Sequence, residues 1–122
     1  MSKKVLVVDD EEDIRISVGQ ILEVCGYEVM KAENGSECLK KLEQGLPDLV
    51  ILDIMMPGMS GWDVAARIKE NEKWCTVPIV FLTAKGDEMS MGMGGLACED
   101  YIVKPFDVVK LKECVERILH TS

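Results

Sequence analysis

Short unbroken apolar runs alternate along this chain with stretches whose apolar residues recur every three to four positions. Residues 5–8 and 49–52 are continuous and rich in β-branched side chains, the mark of strands buried on both faces. Between them Ile14, Val18, Ile21, Leu22 and Cys25 fall at helical spacing, and Gly26 ends that helix. Residues 28–32 predict a second strand, polar enough to lie at a sheet edge. Asn34, with Glu37 three positions on, has the spacing of a capping box and opens a helix that turns Leu39 and Leu42 inward. Gly45 ends it, and Pro47 keeps it from resuming. After the third strand, Met56-Pro57-Gly58 marks a turn, and Ser60 caps a helix with Val64, Ala65 and Ile68 on its inner face. Residues 78–82 and 101–103 predict the fourth and fifth strands. Asp107 caps a last helix that faces Leu111, Val115, Ile118 and Leu119 inward. Residues 87–98 occupy the place of one more helix but carry Gly92, Gly94 and Gly95. Each glycine costs a helix about 1 kcal/mol relative to alanine, so this segment is expected to be short, frayed or displaced.

Five strand units alternating with five helical ones predict a parallel, doubly wound sheet with helices on both faces. Ligands in such folds bind outside the carboxyl ends of the strands. At 122 residues, 48% hydrophobic and 30% charged, the chain fits one soluble domain spanning 1–122. Its net charge of −8 repels nucleic-acid backbones and anionic membranes. No apolar run is long enough to cross a bilayer, and the first residues carry no signal-peptide core, so a cytoplasmic chain is expected. The five cysteines include no C-x-x-C pair, and the one histidine, His120, stands near the end. That pattern offers no zinc site and suits plain thiols in a reducing compartment.

The residues closing the buried runs carry the candidate chemistry. The first strand ends in Asp9-Asp10, the third in Asp53, the fourth in Thr83 and the fifth in Lys104. Singly, each has an ordinary reading as a turn, cap or surface charge, and Glu11, Glu12 and Asp13 read as an acidic helix start that complements the dipole. Together they deliver three carboxylates, a hydroxyl and an ammonium to one rim of one sheet. Crowded carboxylates repel, and Mg²⁺ relieves that repulsion while keeping coordination positions for phosphate oxygens. A carboxylate in such a setting serves as a nucleophile toward a phosphoryl group, with the ammonium and hydroxyl neutralising the oxyanions. The chemistry implied is phosphorylation of one aspartate.

The chain resembles the receiver domain of two-component response regulators. The resemblance rests on Val5-Leu-Val-Val-Asp9-Asp10, Leu52-Asp53-Ile-Met-Met56-Pro57-Gly-Met-Ser-Gly61, Leu82-Thr83-Ala84 and Tyr101-Ile-Val-Lys104-Pro105-Phe106, and it covers the whole chain. It implies a flavodoxin-like (β/α)5 fold with strand order 2-1-3-4-5. It also implies a phosphoacceptor signalling domain, not an enzyme, that supports its own phosphorylation and dephosphorylation. Asp53 would accept the phosphoryl group from a sensor histidine kinase or phosphotransfer protein. Asp10 would bind Mg²⁺ directly, Asp9 through water, and Asp53 and the Met55 backbone carbonyl would complete the metal set. Thr83 and Lys104 would bind phosphoryl oxygens, with Ala84 small enough to admit them. Tyr101 would be the switch aromatic that follows Thr83, and the Lys104–Pro105 bond would be cis. A downstream protein would read the altered face, with no direct contact to nucleic acid or membrane. Because the last helix runs to the chain end, the expectation is a stand-alone receiver, with a phosphorelay intermediate or a receiver cut from a longer regulator as alternatives.

Two other classes compete. A haloacid-dehalogenase-type phosphatase also uses a nucleophilic aspartate but needs a second Asp two residues on, where this chain has Met55. A nucleotide- or flavin-binding module would use Gly92-Met-Gly94-Gly-Leu-Ala97, yet that stretch precedes a strand instead of joining a strand to a helix. The usual Gly-Ala-Asp before the fifth strand reads Ala97-Cys98-Glu99, a departure from the receiver pattern on the expected output face.

Overall fold

Five parallel strands stand in the order β2-β1-β3-β4-β5 in the computed structural model, which describes residues 3–84 and 100–120. They are β1 (Lys4–Val8), β2 (Glu28–Ala32), β3 (Leu49–Asp53), β4 (Ile79–Ala84) and β5 (Asp100–Lys104). The described helices are α1 (Glu12–Val24), α2 (Gly35–Gln44), α3 (Gly61–Glu70) and α4 (Val108–His120). The expectation of a frayed segment at residues 87–98 lies outside the described residues.

Alternation along the strands splits the core into two layers. Leu6, Val8, Val50, Leu52, Ile79 and Phe81 pack with Cys38 and Leu42 of α2 and with Val64, Ala65 and Ile68 of α3. Val5, Val7, Leu49, Ile51, Val80, Leu82 and Ile102 pack on the other face with Val18 and Leu22 of α1 and Leu111, Val115 and Leu119 of α4. β2 and β5 are the edge strands, and of β2 only Ala32 is fully buried.

The helix ends follow local chemistry, with two corrections. Ser60 and Asp63 form a reciprocal capping box at α3, and the Asp107 carboxylate accepts from the Val109 N–H at 2.8 Å at α4. At α2 the Asn34 side chain accepts from the Glu37 N–H at 2.8 Å, but no return bond from Glu37 accompanies it, so half of the expected box forms. Cys25 is exposed at the end of α1 and does not join the inner stripe, because the chain turns away through Gly26 at φ 96°. The strands outrun their apolar stretches: β3 and β5 end on the paired Asp53 and Lys104, and β4 continues through Thr83 to Ala84, since a polar residue still completes the ladder.

Candidate functional site

The sheet register gathers the polar ends. Asp53 is the last residue of β3 and pairs with Leu82 of β4; Thr83 comes one residue later and pairs with Val103, and Ala84 pairs with Lys104. Asp9 follows β1 directly, and its N–H donates to the Ala32 carbonyl of β2. Asp9, Asp53 and Thr83 are the buried polar side chains among the described residues.

Asp9, Asp10 and Asp53 each offer a carboxylate oxygen, and these oxygens lie within 4.8 Å of one another. Asp10 is exposed, so the cluster opens to solvent on its side. The Lys104 Nζ stands 2.8 Å from Asp9 Oδ2 and 3.5 Å from both Asp53 Oδ1 and Glu11 Oε1. Apart from that ammonium, Asp9 Oδ2 is buried without a hydrogen-bond partner. A hard cation is suited to such a donor set: several oxygens, one of them met only by the lysine, and a negative charge that a single lysine does not balance.

The electrostatics show the imbalance. Burial, and then the neighbouring Asp9 charge, push the Asp53 carboxyl up to about 7, with the Asp10 carboxyl adding to the rise. The Lys104 charge and the Met55 N–H, which donates to Asp53 Oδ1 at 3.3 Å, act the other way and are outweighed. Burial pulls Lys104 down, but its hydrogen bond to Asp9 and the charges of Asp53, Asp9 and Glu11 more than compensate, so its pKa is raised.

The other predicted site residues take defined places. The Met55 side chain is 66% exposed beside the cluster. Tyr101 is 42% exposed and pairs with Phe81, two residues before Thr83, which puts it on the same sheet face as Thr83. The Lys104–Pro105 peptide bond is cis.

Three contributors escaped the sequence reading. Glu11 reads in the sequence as a complement to the helix dipole, yet it reaches Lys104 across the fold, a contact that no spacing announces. The Arg15 guanidinium donates to the Asp9 carbonyl at 2.6 Å and braces the turn. Gly61 packs against the backbone of Asp53 and Ile54, where a Cβ would collide with the Asp53 carbonyl, and its N–H donates to the Ile54 carbonyl at 2.8 Å. A glycine straight after a capping serine was the available signal, since that position has no need of glycine's backbone freedom.

A groove of about 1070 Å³ between α2 and α3, lined by Leu42, Leu46 and Trp74 among others, lies at the amino ends of β3 and β4 and shares no residue with the cluster. Among the described residues no helix is long and apolar enough to cross a membrane. Cys38 and Cys114 are buried, and burial raises the Cys38 thiol to about 12, as expected of an unreactive core thiol.

Comparison with known proteins places this geometry. The chain is 40% identical over 122 residues to the phosphate regulon transcriptional regulatory protein PhoB of Pseudomonas aeruginosa, covering 96% of this chain and 53% of that one. It is 41% identical over 123 residues to the alkaline phosphatase synthesis transcriptional regulatory protein PhoP of Bacillus subtilis, covering 100% and 50%. The chain thus spans about half the length of these curated relatives. Among solved structures, the chemotaxis protein CheY4 of Vibrio cholerae superposes with a TM-score of 0.85 at 31% identity, covering 98% of this chain and 100% of that one. The receiver domain of NtrX from Brucella abortus gives 0.86 at 34%, covering 97% and 99%. The response regulator receiver domain model matches residues 5–116. With that match and these relatives, the chain belongs to the response regulator receiver domain family.

Proposed function

We propose that Asp53 is the phosphoacceptor and that residues 1–122 act as one receiver unit, charged by a sensor histidine kinase or phosphotransfer protein. The observation that carries this reading is the placement of Asp53. Its carboxylate is buried at the end of the central strand, within 4.8 Å of two further carboxylates and 3.5 Å from Lys104.

In the proposed reaction an Asp53 oxygen attacks the phosphorus of a phosphohistidine. The P–O bond to Asp53 forms as the P–N bond breaks, and the imidazole leaves with the electron pair and takes a proton from solvent. Asp10 would hold Mg²⁺ directly and Asp9 through water, with Asp53 and the Met55 carbonyl completing the set. Bound Mg²⁺ would supply charge neutralisation to the carboxylates and the incoming phosphoryl oxygens. Lys104 swings from Asp9 onto one phosphoryl oxygen, and the Thr83 hydroxyl donates to another. Tyr101 follows Thr83 from its half-exposed position and alters the face that a downstream protein, or an attached output domain, reads. The same arrangement would admit water for dephosphorylation.

Incubation with Mg²⁺ and a small phosphodonor should add one phosphoryl mass to the wild type and none to Asp53→Asn. An adduct that persists at wild-type extent in the variant rejects the assignment.

A further inference from the structure

The structure assigns Glu11 the task of a positioning residue: we propose that it holds the Lys104 ammonium while a divalent cation occupies the aspartate cluster. The inference rests on the cation-binding reading given under Proposed function.

Lys104 touches three carboxylates. Two of them, Asp9 at 2.8 Å and Asp53 at 3.5 Å, belong to the cluster; the third, Glu11 at 3.5 Å, stands outside it. A dication among Asp9, Asp10 and Asp53 would compete for the oxygens the ammonium now faces, and two cations at that range repel. The ammonium must then slide outward, and Glu11, with its side chain 63% exposed, is the acceptor already on that path.

The backbone around Glu11 fits the task. Glu11 is the N-cap of α1, a position that favours Ser, Thr, Asp or Asn because their oxygens reach the first free N–H groups. Its side chain makes no capping bond and lies toward Lys104 instead. Its own N–H donates to Asp9 Oδ1 at 2.8 Å, which ties it to the carboxylate the lysine must leave. A helix end that forgoes its cap to pair with a residue of another strand is a local rule broken at a functional rim.

A double-mutant cycle on Mg²⁺ affinity separates this role from simple negative charge. Amide NMR shifts at residues 9–12 and 53–55 report Mg²⁺ binding in the wild type, Glu11→Gln, Lys104→Met and the double variant. Glu11→Ala repeats the cycle without an amide that still accepts a hydrogen bond. Glu11→Gln should weaken Mg²⁺ binding about threefold while Lys104 is present, the size of one partly exposed ion pair, and should leave it unchanged within error in the Lys104→Met background. An equal loss in both backgrounds would show that Glu11 acts on the cation through its charge alone and would overturn the proposal. Failure of the wild type to bind Mg²⁺ at all would remove the underlying reading as well, a result distinct from an additive cycle.

Discussion

Ile51 and Asp53 lie two residues apart on β3, point to the same face and are both withdrawn from water, Ile51 fully and Asp53 to 3% exposure. Burial acts on them with opposite sign. Around Ile51 it removes apolar surface from solvent and stabilises the sheet. At Asp53 it strips a carboxylate of hydration beside two others, and the raised pKa records the unfavourable balance. The middle of the sheet is built for stability. Its carboxyl rim spends part of that stability on holding like charges together.

The largest test of the contrast lies in the middle. Phe81 is fully buried and packs 4.9 Å from Trp62, ring centre to ring centre. Phe81→Ala should lower the unfolding free energy by about 4 kcal/mol in a denaturant titration. A loss comparable to that of a surface substitution would mean that this layer is not the source of stability.

At the rim, Lys104→Met leaves the carboxylates without their cation. Breaking a partly buried pair should lower stability by about 2–3 kcal/mol at pH 7, measured the same way. A neutral outcome would show that the three carboxylates are not held against their own repulsion.

Asp53→Asn should do the reverse and stabilise the cation-free protein by about 2 kcal/mol at pH 8. The sign follows from the raised pKa. Below about 4 both folded and unfolded Asp53 are protonated, and the group contributes nothing. Between there and about 7 the unfolded state releases its proton while the folded state keeps it, so stability falls as pH rises. Above about 7 the full penalty is present. The gain from the substitution should therefore hold down to about pH 7 and shrink from there to pH 5 in paired melts. A gain independent of pH would assign the effect to packing instead of charge.

The two regions also differ in how plainly they stand in the sequence. β1 and β3 are legible because a strand covered on both faces must be continuously apolar, and helices α1 to α4 because their inner stripes and caps are local features. Asp9, Asp10, Asp53 and Lys104 are legible as strand-end residues because a parallel sheet brings all its carboxyl ends to one rim. What stayed hidden depends on distances between elements. Glu11 meets Lys104 only after β1 and β5 are placed with two strands between them. Gly61 matters only because α3 begins against the backbone of Asp53. β3 and β5 run one residue, and β4 two, past the apolar stretches that mark them in the sequence, because the ladder continues where the apolar run stops.

The central claim is that the rim's strained carboxylate is the one that takes the phosphoryl group, and chemical trapping tests it at the residue level. After reaction with Mg²⁺ and a small phosphodonor, borohydride reduces an aspartyl phosphate to homoserine, which peptide mass spectrometry then locates. The account predicts homoserine at position 53 and intact aspartate at positions 9 and 10. Homoserine at position 9 or 10, or at neither of these nor 53 in a protein that has gained the phosphoryl mass, would contradict it.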